Sequence, residues 1–452
     1  MQIKKISNEE MQLCCIYNDK GRAVGVKDEA VCVFIKTDYH IFILSGIPFI
    51  YDAGKYIADV SGALTKTIIK NYIEFELIKS TTINRIYNLL IADYELQACE
   101  DMLNRYPDNC IPFDDCLYSV LDGVENEYKP EYRVINKIPY KYADVKQASN
   151  GEELEKFFEY ALSKEDRQTI LEFFGYCMTK NKGFQKFLLL KGSRGTGKSV
   201  LLSLLEKIVG RENVSNVPLQ NLEEKFYSIQ LLHKLVNVCC DLSALPLKST
   251  NSIKLITGND FITDSYKGKD LITFCPYAKL VFSCNAIPLI LDGDSSNAFY
   301  QRIILVSMDN APDKPDRELK SKLENEILYL INISIKAYKQ ALERGYIYES
   351  ENTKRMVAEL YSDSDSLQAF LDECTRAEKN DRVSKSQLYQ EYLAFCDTEG
   401  REPLAKHSFN RKMRSKGFTE YKSGVDSWRG LTLIDWNSQN PFVNVLFGWF
   451  YF

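Results

Sequence analysis

Histidine is almost missing from this chain. His40, His233 and His407 are the three in 452 residues, and none stands in an acidic cluster. A catalytic centre built on histidines and metal-binding acids is therefore not expected. Cysteine is plentiful at 13, yet no C-x-x-C pair occurs, so a zinc site is not expected. Two pairs are adjacent, Cys14-Cys15 and Cys239-Cys240, and Cys32, Cys239 and Cys284 sit inside apolar runs. That pattern predicts buried reduced thiols instead of a disulfide framework. No apolar run reaches the ~18 residues of a membrane span. The opening "MQIKKISNEEMQ" has no apolar core suited to a signal peptide. The expectation is a soluble protein of a reducing cytoplasm, with no membrane partner. A surplus of basic charge is missing too. The net charge is −5, so any contact with nucleic acid must come from local basic patches.

What is present is ordinary globular composition, 45% hydrophobic and 26% charged, in a chain long enough for several domains. Residues 30–59 alternate β-rich runs with the turn signals Ser45-Gly46 and Asp52-Ala53-Gly54, and helical patterns follow near 61–76 and 81–96. Ser149-Asn150-Gly151 followed by Glu152 and Glu153 reads as a helix start. It opens two amphipathic segments, "EELEKFFEYALS" and "KEDRQTILEFFGYCMTK". Four short apolar runs recur after residue 184: "FLLL", "LVNVCC", "KLVFSC" and "RIILVSM". Helical or loop material separates them, which predicts buried strands in an α/β layer fold. From about residue 311 the chain turns helical and charged. A last module spans 362–436, and an uncharged tail, "NPFVNVLFGWFYF", closes the sequence. Packing of this tail as a strand is the preferred reading.

The strongest chemical signal is "FLLLKGSRGTGKSVLLSLL". Gly192, Gly197, Lys198 and Ser199 satisfy G-x-x-x-x-G-K-[ST], with a strand pattern before and a helical pattern after. The segment Gly192, Ser193, Arg194, Gly195, Thr196, Gly197, Lys198, Ser199 and Val200 is expected to cradle phosphates with its backbone N–H groups. Lys198 would reach the β- and γ-phosphates, and Ser199 would ligate Mg²⁺. Asp241 ends the second apolar run, where a carboxylate can help to hold Mg²⁺. Leu242 and Ser243 follow it, so no second acid is adjacent. Either Asp241 serves both roles, or the water-polarising carboxylate lies elsewhere, for example Glu223 or Glu224. Asn285 ends the third run and could orient a water against the γ-phosphate. Arg302 stands at the mouth of the fourth, where a guanidinium could reach a neighbouring subunit's γ-phosphate.

Taken in order, Lys198, Asp241, Asn285 and Arg302 resemble the motifs of superfamily 3 helicases. The closest resemblance is to the phage and plasmid primase-helicases and the poxvirus nucleoside triphosphatase. "TILEFFGYCMTKNKGFQKFLLLKGSRGTGKS", "IKLITGNDFITDSYKGKD" and "NAFYQRI" are similar to that family's collar, the segment before its third motif and its arginine element. "IPFDDCLYSVLDG" and the segment from Ser364 to Phe418 resemble its flanking modules. Gln301 departs from the family, many of whose members carry an arginine there. The resemblance implies an AAA+ P-loop ATPase core of α/β class. It implies an α+β N-terminal domain (1–148), a helical collar (149–183), the core (184–345), a winged helix (346–437) and the tail (438–452). It further implies ATP and Mg²⁺, a hexameric ring, 3′-to-5′ movement on DNA, and service to a phage or mobile element in a bacterial host's cytoplasm. No primase signature is present, so a separate primase and polymerase are expected.

Two basic segments are the expected DNA contacts. Tyr266, Lys267 and Lys269 surround Gly268 in a turn suited to a single strand, ammonium to phosphate and ring to base. Lys406, Arg411, Lys412, Arg414 and Lys416 share one segment, while Leu404, Phe409, Met413 and Phe418 form its apolar stripe. That segment reads as a recognition helix for duplex or origin DNA, with "EYKSGVDSWRGLTLI" as the wing. The competing readings are an initiator or loader that remodels origin DNA without processive unwinding, a small-molecule kinase, and a DNA-binding protein with a dead nucleotide site.

Overall fold

The computed structural model describes residues 3–434, apart from 244, 246, 248, 289, 291–296, 313, 315, 365, 400 and 402. The apolar tail therefore lies outside the described residues.

Five strands form one parallel sheet: β1 (Phe187–Lys191), β2 (Val214–Ser215), β3 (Val236–Cys239), β4 (Lys279–Cys284) and β5 (Ile303–Ser307). Their order is β2-β3-β4-β1-β5. Four of these match the four apolar runs of the sequence; β2 has two residues and leaves no periodic signal. Period-two alternation sends successive residues to opposite faces. Leu188 and Leu190 enter a core shared with Phe158, Phe173, Phe174 and Ile335. Phe187 and Leu189 enter a second core with Ile253, Phe282 and Leu305. A strand buried on both faces is largely apolar, and the polar exceptions here are hydrogen-bonded: Asn237 of β3 accepts from Val217 N–H at 2.8 Å, and Lys279 of β4 donates to the Thr179 carbonyl oxygen.

The first core is closed by α1 (Glu152–Ala161) and α2 (Lys164–Cys177), together with α3 (Lys198–Val209) and α5 (Ile327–Arg344), the latter preceded by α4 (Leu319–Asn325). Ser163 caps α2 by accepting from the Asp166 N–H at 3.0 Å. Gly175 lets α2 lie directly on α5, because a Cβ there would stand 2.3 Å from Tyr338 Cβ.

In the N-terminal part, Lys55–Ala58, Ile47–Asp52, Ile41–Leu44 and Gln97–Ala98 form a four-stranded sheet in that order. Helix Ala63–Asn71 falls within the first expected helical stretch, and Ser80–Ala92 matches the second but begins one residue earlier. Residues 30–38 correct the expectation of β-rich structure throughout 30–59, since Asp28–Asp38 is a helix. Its β-branched run misleads, but Val31, Cys32 and Ile35 are buried at helical spacing while Val33 is exposed, and Asp28 and Glu29 occupy the first turn. This part joins the first core through Ile111, Phe113, Val120 and Ile138, and adds polar contacts: Asn136 Nδ2 to Asn213 Oδ1 at 2.7 Å, and the His233–Glu100 pair at 2.7 Å.

Beyond α5, helices Ser366–Cys374, Lys385–Thr398 and Lys406–Ser415 pack with three antiparallel strands, of which Val425–Leu433 is central. Trp428, Tyr392, Phe395, Phe409 and Met413 form a separate core there. The whole is a mixed α/β architecture of helices and several sheets. Among the described residues, no helix is long and apolar enough to cross a membrane.

Candidate nucleotide site and basic surfaces

The loop after β1 is held by its neighbours on both sides. Gly192 N–H donates to Cys284 O of β4 at 3.2 Å, and Met308 N–H, just past β5, donates to Lys191 O at 2.8 Å. A Cβ on Gly192 would lie 2.1 Å from the Met308 carbonyl oxygen, so this close approach demands glycine. Gly197 has φ +94° and abuts the Phe157 ring of α1, and Gly195 has φ +86°. Thr196 Oγ1 donates to Ser193 O at 3.0 Å. Lys198 is buried at the start of α3, and its Nζ donates to Gly192 O at 2.6 Å and Ser193 O at 2.7 Å. Asn285 Oδ1 lies 3.4 Å from the same ammonium.

Asp241 follows β3 in left-handed backbone, φ +55°, with its N–H on Ser283 Oγ at 3.3 Å. These residues share a cavity of about 490 Å³, lined by Arg194 to Val200, Asp241, Asn285, Pro312, Asp316 and Leu319. Phosphate-loop backbone, an ammonium, an exposed Ser199 hydroxyl, a carboxylate and an amide thus converge on one space. Such a set can bind a polyphosphate. The oxygens of Ser199 and Asp241 are hard donors that fit Mg²⁺.

Glu223 and Glu224 are not among the lining residues. Glu223 instead accepts from Ser249 Oγ at 3.1 Å and Ser252 N–H at 2.8 Å. Asp316, which the sequence reading missed, does line the cavity. It carries no motif and is reached by a loop, so no spacing could flag it. Its Oδ1 accepts from Glu318 N–H at 2.8 Å and its Oδ2 from Lys322 Nζ at 2.7 Å. The bond from Lys322 holds its carboxyl below the usual carboxylate range.

Arg302 is not brought to this cavity. It ends the helical turn Tyr300–Arg302, and the next residue, Ile303, pairs with Phe187 at the start of β1. The loop leaves the other end of β1, about 13 Å away at the rise of a β-strand. The Arg302 Nη1 donates to Ala298 O at 2.6 Å, and its buried Nε has no hydrogen-bond partner among the described residues.

Tyr266, Lys267 and Lys269 are all exposed at the tip of a hairpin formed by Ile262–Asp264 and Ile272–Phe274. Gly268 takes φ +76°, and Lys269 N–H closes the turn on Tyr266 O at 2.9 Å. Asp264 roots the hairpin. It accepts from Phe226 N–H at 3.0 Å, Ser228 Oγ at 2.8 Å and Ile229 N–H at 3.0 Å. Burial raises its pKa, but these bonds outweigh that and keep it below the ordinary value. No motif marks this residue either.

On the helix Lys406–Ser415, Phe409 and Met413 face the core, with Leu404 and Phe418 packed beside them. Arg411 is exposed, and Lys406 lies 5.9 Å from the Tyr389 ring centroid. Arg414 is tied to Glu420 at 2.6 Å and Lys416 to Gln368 at 2.5 Å, while Lys412 O accepts the Lys416 N–H. The basic face is therefore partly engaged within the module.

Residues 190–302, which contain most of this cavity, match a family of unknown function (DUF5906). Residues 362–428 match a family described as Poxvirus D5 protein-like. Two solved apo structures of the C-terminal region of NrS-1 are similar to this chain with TM-scores of 0.46 and 0.47, at 14% and 13% identity. Each comparison covers 89% of this chain and 98% of the other.

Proposed function

We infer that the chain is an ATP-hydrolysing, ring-forming DNA motor of the superfamily 3, AAA+ kind, serving replication of a phage or related mobile element. The observation that carries this is the division of the site. Lys198, Ser199, Asp241 and Asn285 line one cavity, whereas Arg302 lies at the opposite end of the same sheet. An arginine placed there is out of reach of its own cavity, and its role in hydrolysis would be on the cavity of a neighbouring copy, as in a closed head-to-tail ring. The Poxvirus D5 protein-like match over residues 362–428 supports the replication reading.

In this account Lys198 and the loop N–H groups bind the polyphosphate, Asn285 orients the attacking water, and the neighbour's Arg302 meets charge developing on the γ-phosphoryl group. Ser199 and Asp241 would hold Mg²⁺, which supplies neutralisation of the phosphate oxygens when bound. The hairpin tip with Lys267 and Lys269 grips single-stranded DNA in the channel. The C-terminal module reads as a winged helix that presents Arg411 and its neighbours to duplex DNA.

A forked-duplex assay tests the reading. ATP-dependent strand displacement is expected for the native chain and not for Lys198→Ala. Hydrolysis with origin melting but no fork unwinding would favour a loader. Phosphoryl transfer to a metabolite by a monomer would favour a kinase.

A further inference from the structure

The strand order gives the nucleotide cavity a direction. The phosphate loop leaves β1, and β4 and β3, carrying Asn285 and Asp241, lie on one side of it. On the other side is β5, whose continuation supplies Pro312, Asp316 and Leu319. The amide and the carboxylate suited to Mg²⁺ mark the γ-phosphate end. The nucleoside must then lie at the β5 end, where Pro312 and Leu319 give apolar surface and Asp316 is the carboxylate. A volume of about 490 Å³ has room for this, since small-molecule sites span ~300–1,000 Å³.

Resting on the nucleotide reading above, we propose that Asp316 is the ribose-recognition residue of this site, accepting hydrogen bonds from the sugar hydroxyls. Strand order argues against its use as a water-polarising carboxylate, because Asp316 follows β5, on the side of β1 away from the strands that lead to Asp241 and Asn285. Each of its oxygens already accepts one bond, from Glu318 N–H and Lys322 Nζ. A carboxylate oxygen has room for a second donor, and those two bonds fix its rotamer before a ligand arrives. An ionised carboxylate accepts only, so it selects a hydroxyl-bearing sugar over one stripped of hydroxyls.

The test is calorimetric titration of the full chain, with Mg²⁺ present, using ATP, 2′,3′-dideoxy-ATP and inorganic tripolyphosphate. The expected result is ATP binding about tenfold or more tighter than the dideoxy analogue, in keeping with a charge-assisted bond. Asp316→Ala should abolish that difference and leave tripolyphosphate affinity unchanged. Equal binding of the two nucleotides by the native chain would overturn the proposal without any variant. So would discrimination that survives in Asp316→Ala, or loss of tripolyphosphate binding in that variant, which would make the aspartate a mere helix cap. If the native chain binds neither ATP nor tripolyphosphate, the phosphate-loop reading itself fails and this proposal falls with it.

Discussion

Alanine at Gly192 and alanine at Gly195 should have sharply different consequences, although both glycines belong to the same loop. At Gly195 an added Cβ meets nothing within 4 Å, and the cost is that of a left-handed backbone at φ +86°. That is about 1–2 kcal/mol. At Gly192 the Cβ would stand 2.1 Å from the Met308 carbonyl oxygen, a backbone atom with no rotamer by which to escape. To reach ordinary contact the loop and the end of β5 must separate by more than 1 Å. The bonds at stake are Met308 N–H to Lys191 O at 2.8 Å and Gly192 N–H to Cys284 O at 3.2 Å. Leaving such buried groups unpaired costs about 1–3 kcal/mol each, so Gly192→Ala should cost the strand ends ~3 kcal/mol or more. The assay is amide hydrogen exchange on β1 and β5, read locally because a chain with several cores does not unfold in one step. A penalty of ~3 kcal/mol accelerates opening on the order of a hundredfold, against roughly five- to thirtyfold for Gly195→Ala. Equal protection in the two variants would refute the claimed close approach.

Buried Lys279 donates to the Thr179 carbonyl oxygen, and burial pulls its pKa down to about 7. Between that value and the ordinary 10.5 the unfolded chain holds a proton that the folded chain lacks, so its contribution makes stability rise with pH across that window. Lys279→Met should flatten the rise and raise stability at pH 7 by ~1 kcal/mol or more, as denaturation at a series of pH values would show. For the hairpin, Lys267→Ala with Lys269→Ala should leave basal ATP hydrolysis intact and weaken single-strand binding. The slope of log affinity against log salt should shrink by about 1.4 if each lysine meets one phosphate. An unchanged slope would take both lysines off the DNA.

The phosphate loop and the four longer core strands were legible because each has a local cause: a complete motif, or an apolar run buried on both faces. The sequence misled at Val31 to Ile35, where β-branched residues lie on a helix whose tertiary partners override local preference. Asp316 and Asp264 were invisible for a different reason. Asp264, at the end of a hairpin strand, meets Phe226, Ser228 and Ile229 far back in the chain, and Asp316, in a loop, shares a cavity with the distant Lys198; a lone aspartate has no spacing to betray either. For Arg302, residue type and order suggested a finger toward a neighbouring copy, and only the strand pairing shows that it stands at the far end of β1 from its own cavity. For the basic helix, the sequence could not show which side chains have partners inside the module. Arg414 and Lys416 bond within the module, a fact that depends on Glu420 and Gln368 being folded beside them.

The division of the site between copies is tested most directly by mixing two inactive variants, Lys198→Ala and Arg302→Ala, and measuring DNA-stimulated ATP hydrolysis. In a ring assembled at random from equal amounts, about a quarter of interfaces join an intact phosphate loop to an intact arginine. The mixture should therefore recover activity that neither variant shows alone. A mixture as inactive as its parts, or an Arg302→Ala variant that hydrolyses ATP normally, would contradict a shared site.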